Sequence, residues 1–260
     1  MMITLNQIIR SRAGIVLAAA ALMLNLSLAH AVPAGVDISG SNEFDETNSF
    51  NGTGSFFITS GGTTTTSSYD DMSAVTGDNP LLGNLTQVFD GFGFNGAASI
   101  TDDEFLIGFD TTINVTNNSL AIQTIEFRLD FSNLVSASGD DAYADSELVL
   151  SQKLSGEFSF TEIFFSDLIS DSLNGDSFNG ADAGSMGVQQ SDMGVFFFSL
   201  LLNPAEQADL RLSWTLEGGD YAGGLAEGSL NASLKVVPIP GALWLMLSGM
   251  LVLIHRAVRR

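Results

Sequence analysis

The sequence contains no cysteine and few basic residues, and both absences narrow the chemistry open to it. Without cysteine there are no disulfides, no thiolate zinc sites and no cysteine nucleophiles. Nine lysine and arginine residues stand against 30 aspartate and glutamate residues in 260 positions, giving a formal charge of −21. A chain this anionic repels phosphate backbones instead of releasing their counterions, which argues against nucleic-acid binding.

Histidine is also scarce, because His30 and His255 are the only two and both lie near the ends of the chain. Residues 32–236 therefore lack imidazole, which excludes a Ser-His-Asp triad and a histidine zinc site there. A glycosidase needs only two carboxylates roughly 5 to 10 Å apart, so that activity stays open as a less favoured alternative. Nothing in the sequence marks one acidic pair, and we predict that the protein is not an enzyme.

The first 31 residues have the three parts of a secretory signal peptide. Arg10 and Arg12 precede an apolar run over 13–28, and Ala29 and Ala31 supply small residues two apart. We predict cleavage after Ala31 and export through the Sec translocon. An uncleaved membrane anchor or a buried helix is the alternative, but the small-residue site where the apolar run stops favours a signal peptide.

A second apolar segment, 241–254, lies near the C-terminus, where Pro238 and Pro240 precede it. Three arginines follow it: Arg256, Arg259 and Arg260. A helix of this length rises about 21 Å, short of the roughly 30 Å hydrocarbon core, so the span is marginal. The arginines place the far end in the cytoplasm by the positive-inside rule, which puts 32–236 outside the inner membrane.

The segment 237–260 combines a proline box, a short apolar helix and a basic end. The box is Val237-Pro238-Ile239-Pro240, and the helix contains Trp244 and a Ser248-Gly249 pair. These features resemble the PEP-CTERM sorting signal in its VPLPA-type variant. Ile239 stands where Leu or Glu is usual in that signal, and Gly241 stands where Ala is common.

Resemblance to that family implies a Gram-negative host, recognition by a membrane-embedded exosortase and cleavage near the proline box. It further implies release or attachment at the cell surface, commonly alongside exopolysaccharide. The segment 241–254 would then hold the chain in the inner membrane only transiently. An ordinary single-span anchor without processing is the alternative. The resemblance covers only the tail, so the fold of 32–236 has to be predicted from its own residues.

Residues 32–236 alternate between apolar and polar side chains in many short stretches, which is typical of half-buried strands. Thirty acidic and four basic residues give this exported part a net charge of −26. Roughly eight to ten strands are expected, including 105–115, 125–131 and 148–150. We predict an all-β domain, an antiparallel β-sandwich of jelly-roll type, with Trp214 in its core.

Five local predictions go with this fold. Residues 208–237 are predicted to form a hairpin, and the uninterrupted apolar run 195–202 a strand covered on both faces. Phe158 and Phe160 alternate with polar residues as in a strand, and the segment 203–208 could begin one helical turn. The stretch Gly61–Ser68 is predicted to be a flexible loop, with attachment of O-linked sugars as the alternative.

Two acidic stretches are candidates for calcium, which takes six to eight oxygen ligands from flexible loops. The first contains Asp140, Asp141, Asp145 and Glu147. The second contains Asp171, Asp176 and Asp182 together with Asn174 and Asn179. Solvated turns, in which Asp and Asn side chains satisfy their own backbone, explain the same residues without a metal.

The sequence therefore predicts a secreted or cell-surface protein that is a structural or adhesive component of the extracellular or exopolysaccharide matrix. A calcium-dependent carbohydrate-binding module is the alternative. Tyr69, Tyr143 and Tyr221 all stand within two residues of an aspartate, and they would form a binding rim if their loops met at one end of the sandwich. Scattered, partly buried tyrosines are the other interpretation.

Overall fold

The chain forms two antiparallel β-sheets in a computed structural model that describes residues 32–70, 75–180 and 183–238. The chain divides into two units, 1–30 and 31–260, and every described residue belongs to the second. The described residues contain strands and no helix. The strands are β1 (Val36–Phe44), β2 (Thr53–Ser60), β3 (Thr63–Asp70), β4 (Leu81–Asn84), β5 (Gly91–Ile100), β6 (Glu104–Asn117), β7 (Gln123–Ser138), β8 (Ala142–Leu154), β9 (Thr161–Asp171), β10 (Ser177–Asn179), β11 (Gly184–Met186), β12 (Gln189–Leu202), β13 (Gln207–Asp220) and β14 (Leu225–Val237).

The strands are divided equally between two sheets that face each other. Sheet 1 has the order β10-β9-β8-β13-β6-β1-β4, and sheet 2 has the order β11-β12-β7-β14-β5-β2-β3. Phe94 of sheet 2 stacks on Phe109 and Trp214 of sheet 1, with ring centroids 5.1 and 6.0 Å apart. The all-β prediction and the burial of Trp214 are confirmed, and the architecture is a β-sandwich with one core between its sheets.

A buried polar network also joins the sheets. Asn133 of sheet 2 accepts a hydrogen bond from the Ser146 hydroxyl at 2.6 Å, and Trp214 Nε1 donates to the same hydroxyl oxygen at 2.8 Å. Asn42 of sheet 1 donates to the carbonyl of Gly93 at 2.7 Å. Because these groups are shielded from water, each bond also avoids the desolvation cost of an unpaired polar atom.

The predicted hairpin over 208–237 is wrong, although both of its strands exist. β13 pairs with β6 and β8 in sheet 1, whereas β14 pairs with β5 and β7 in sheet 2. The Asp220 carboxylate holds the connection by accepting N–H bonds from Gly224 at 2.8 Å and Asp102 at 2.9 Å. The connection therefore crosses between the sheets instead of turning back within one.

The prediction that 195–202 is covered on both faces is also wrong. β12 lies near the edge of sheet 2, and Val195, Phe197 and Leu201 are between 46% and 64% exposed on its outer face. Arg128 of the neighbouring strand β7 lies over the Phe197 ring at 5.8 Å from the centroid. The apolar run therefore alternates between core and surface like the other strands.

Two further local predictions are wrong because turns take the place of the expected elements. Phe158 is fully exposed in the connection between β8 and β9, and β9 begins only after Phe160. Segment 203–206 is a β-turn, closed by the N–H of Glu206 donating to the Asn203 carbonyl at 3.0 Å. Ala205 has a φ of +64° there, which a helix does not allow.

The Thr-rich stretch forms strand β3 instead of the predicted flexible loop. Gly61 and Gly62 have φ values of +58° and +76°, which are those of a tight hairpin turn joining β2 to β3. Most of the β3 side chains are exposed at the edge of sheet 2.

Strand β14 ends at one end of the sandwich, and we call that end the tail end. The tail end comprises Pro238, the first described segment and five connections between strands. The segment is 32–35, and the connections are 61–62, 85–90, 118–122, 155–160 and 203–206. The remaining described connections lie at the opposite end.

The buried carboxylate of Asp90 organises part of the tail end. It accepts main-chain N–H bonds from Gly61, Gly62, Thr86 and Gln87 at 2.8 to 3.0 Å. Burial alone would raise the pKa of Asp90, but these four donors outweigh it and hold the pKa below its ordinary value. The Asp90 carbonyl also accepts the N–H of Val236 at 3.0 Å. This loop is therefore hydrogen-bonded to the end of β14, immediately before the proline box.

Replacing Asp90 with alanine should lower the free energy of unfolding by about 3 kcal/mol or more at pH 7, because four main-chain donors lose their acceptor. Urea denaturation checks this, and Asp37→Ala, an exposed carboxylate in β1, should cost under about 1 kcal/mol. Because the folded pKa of Asp90 is lowered, the difference between wild type and Asp90→Ala should shrink as the pH falls below about 4. Equal losses in the two variants would contradict this assignment.

Candidate functional site

The first predicted calcium stretch does not form one group. Asp140 and Asp141 are exposed in the turn between β7 and β8, whereas Asp145 and Glu147 lie within strand β8. The Asp141 carbonyl accepts the N–H of Tyr221 at 3.2 Å, which ties this turn to the connection between the sheets.

The carboxylates of the second stretch accept hydrogen bonds from their own segment and its neighbours. Asp171 accepts the N–H groups of Leu173 and Asn174, both at 2.8 Å, and Asp176 accepts from Gln190 Nε2 at 2.7 Å. Asp182 lies outside the described residues. Within the described ranges, no group of three or more His, Cys, Asp or Glu side chains is arranged to hold a metal ion.

Acidic side chains from three neighbouring strands meet around Asp145. Desolvation is the largest cause, and together with the negative charges of Asp167, Glu217 and Glu147 it raises the pKa of Asp145 from 3.8 to about 6. Glu217 of β13 is directly opposite Asp145, and Asp167 of β9 is opposite Glu147. These residues do not line the groove on sheet 1 or the depression at the end opposite the tail.

The three tyrosines do not form a common rim. Tyr69 is buried in β3 and stacks on Phe44 at 3.9 Å between ring centroids. Tyr143 and Tyr221 do lie together at the opposite end from the tail, 6.5 Å apart, and Tyr221 donates to Glu104 at 2.6 Å. Of the rim that three converging loops would have formed, only one pair of tyrosines is present.

A groove of about 600 Å³ crosses the outer face of sheet 1. Phe160 and Leu82 are 41% and 73% exposed among its lining residues. Short polar side chains line the same groove: Ser39, Ser41, Asn84, Thr112, Asn114 and Asp209. Hydroxyl and amide groups beside an exposed aromatic ring suit a ligand that has both hydroxyl groups and apolar faces.

Hydrogen bonds fix several of the polar groups in this groove. The Ser41 and Thr112 hydroxyls are 2.8 Å apart, and Asn114 donates to Asp209 at 2.8 Å. Lys153 forms an ion pair with Asp209 at 3.1 Å and also lies 5.1 Å from the centre of the Phe160 ring. The side chains that make these contacts are thus held in place before any ligand binds.

A second depression of about 500 Å³ lies at the opposite end from the tail. It is lined by small and polar residues, among them Asn51, Thr53, Asp70 and Asp103. None of the residues that line it is aromatic. The groove on sheet 1 is therefore the better candidate for binding a sugar.

Sequence reasoning missed the groove because it placed Phe160 in a strand. The Ser155-Gly156 dipeptide was the available signal, since such pairs mark turns and Gly156 has a φ of +90°. The polar residues of the groove come from strands far apart in sequence. No local pattern could have placed them together.

The proline box begins where the folded domain ends. Val237 is the last residue of β14, is buried and lies opposite Glu126 of β7, while Pro238 is exposed. The box therefore follows the folded domain with no intervening linker. Ile239, Pro240, the segment 241–254 and the terminal arginines lie outside the described residues, as do Ala29 and Ala31.

None of the described residues forms a helix that could cross a membrane. No protein-family model matches the chain, and no curated protein matches it. Among solved structures, the chain is similar to the infectious bursal disease virus Gx strain, with 10% identity over 80% of this chain and 66% of that one and a TM-score of 0.15. It is also similar to the VP2 subviral particle of infectious bursal disease virus, with 12% identity over 79% and 65% and a TM-score of 0.15. The chain thus spans just under two thirds of these proteins, and at this TM-score the likeness tells nothing about its ligand or partners.

Replacing Asp145 with asparagine should stabilise the protein at pH 7 by about 1 kcal/mol, because it removes a charge that burial and its neighbours oppose. The raised pKa means that the folded state binds more protons than the unfolded state between about pH 4 and 6. The wild type therefore loses stability as the pH rises through that range, and the variant should lose less.

Urea denaturation at pH 4.5 and pH 7 measures both effects. Glu162→Gln, which removes an exposed charge from β9, is the matched control and should change stability by under about 0.5 kcal/mol. A destabilised Asp145→Asn variant at pH 7 would contradict the assignment of the raised pKa.

Proposed function

We propose that this protein is exported through the Sec translocon, held transiently in the inner membrane by 241–254, and sorted to the cell surface by an exosortase. At the surface or in the medium it is a structural or adhesive component of the exopolysaccharide matrix and has no enzymatic activity. The observation that carries the proposal is the position of the proline box, which starts at the last residue of a central strand and continues into an exposed proline. A protease in the membrane would meet the box immediately beside its folded cargo.

We also infer that the sandwich is a jelly roll. Eight strands support this, because the order β5-β14-β7-β12 in sheet 2 faces the order β6-β13-β8-β9 in sheet 1. That arrangement is two interlocked Greek keys, with β1 and β2 added at the edges of the eight-stranded unit. The first and last strands of the unit, β5 and β14, are then neighbours.

The double variant Pro238→Ala/Pro240→Ala should remain full-length in the inner membrane, because the extended box that the exosortase would recognise is lost. Immunoblots of membrane and extracellular fractions, with mass spectrometry of the mature C-terminus, measure the outcome. Pro204→Ala is the control, since it removes an exposed proline from a turn at the same end and should be processed normally. Normal processing of the double variant would refute the sorting proposal.

A carbohydrate-binding role is the second candidate, and the groove beside Phe160 favours it. A ring that is 41% exposed next to fixed hydroxyl, amide and carboxylate groups can bind one face of a sugar while the polar groups bind its hydroxyls. The exported part as a whole is strongly anionic, which favours neutral or cationic glycans over acidic ones.

Phe160→Ala should weaken binding to the host's own exopolysaccharide by about tenfold, the effect of losing roughly 1.4 kcal/mol of ring contact. Retardation in polysaccharide-containing native gels measures this. Phe158→Ala, two residues away, fully exposed and outside the groove, should bind like the wild type. Equal retardation of all three proteins would remove the groove as the binding site, and binding abolished by EDTA would indicate the calcium-dependent module instead.

A further inference from the structure

The loops at the tail end expose large apolar side chains to solvent. Leu120 and Phe158 are fully exposed, and Ile122 and Phe89 are 59% and 57% exposed. They lie in three connections, between β4 and β5, between β6 and β7, and between β8 and β9. Isolated apolar residues on a surface are ordinary, but several on three connections at the same end are typical of a contact surface.

The tail end also carries few charges for so anionic a protein. Its connections contain three acids, Asp90, Glu157 and Glu206, and each accepts a main-chain N–H bond. The opposite end also exposes apolar side chains, Leu173 and Tyr221 among them. Its described connections, however, carry eight acids: Asp45, Glu46, Asp78, Asp102, Asp103, Asp140, Asp141 and Asp176.

The predicted membrane segment starts close to this end. Gly241 lies four positions after Val237, and a fully extended chain covers at most about 14 Å over those four steps. The polar headgroup layer on each side of the hydrocarbon core is itself about 5 to 8 Å thick. A domain tethered so closely through a central strand has its tail end within or against the headgroups.

We propose that the tail end of the sandwich is a membrane-contacting surface, whose apolar loop tips insert into the lipid interface of the membrane that holds 241–254 before cleavage. The inference rests on the proposed function, because the tail supplies the tether. Phenylalanine and leucine side chains are stabilised at the interface by apolar burial, whereas the acidic opposite end is repelled by anionic headgroups. The two ends thus orient the domain with its proline box at the membrane surface, where a membrane-embedded protease acts.

Because the sequence contains no cysteine, a single introduced thiol can be labelled specifically. Leu120→Cys and Phe158→Cys place single thiols at the tail end, and Leu173→Cys and Tyr221→Cys place matched, exposed thiols at the opposite end. Each full-length variant is labelled with bimane and reconstituted into vesicles of phosphatidylethanolamine and phosphatidylglycerol. Some of the vesicles contain lipid with a nitroxide just below the headgroup.

Labels at 120 and 158 should lose most of their fluorescence to the nitroxide lipid, and labels at 173 and 221 should keep theirs. Equal quenching at the two ends would overturn the inference while leaving the sorting proposal intact, provided that the protein floats with the vesicles. Labels at 120 and 158 that are shielded from water but not quenched by lipid would also overturn it, since the covering partner would then be protein. Protein that does not float with the vesicles would overturn the tether itself, and with it both proposals.

Discussion

The pairing of β14 between β5 and β7 is the constraint on which the rest of the structure depends. This strand is the last in the described chain, yet it lies in the middle of sheet 2 and its inward side chains are part of the core. The sandwich is therefore incomplete until Val237 is in place. Any event that separates the tail from the domain has to spare this residue, because its strand has neighbours on both sides.

The same strand fixes which end of the domain faces the tail. The Asp90 loop binds Val236 through its main chain, and the neighbouring connections supply apolar loop tips. Acidic connections are concentrated at the other end, so the two ends of one sandwich offer different surfaces. An overall net charge, averaged over the whole chain, conceals this difference.

Only part of the candidate binding surface could be predicted from the sequence. The acids around Asp145 stood out as a cluster along the chain, but their most important neighbours, Asp167 and Glu217, come from strands β9 and β13. Phe160 alternates with polar residues, a pattern that occurs both in strands and in short turns. Its groove is formed with residues from β1, β4, β6 and β13. Side chains that are distant in sequence meet on a sheet only through strand order, which local patterns do not encode.

The sequence alone determined that this part of the chain is built from strands, which side of most of them is buried, and that Trp214 is in the core. Alternation of period two depends only on neighbouring residues, so it can be read without knowing any partner. Only the tertiary structure decided that β13 and β14 belong to opposite sheets, that β12 leaves one face uncovered and that the apolar loop tips share an end. Each of these depends on which strands pair, and pairing is set by contacts between residues far apart in the chain.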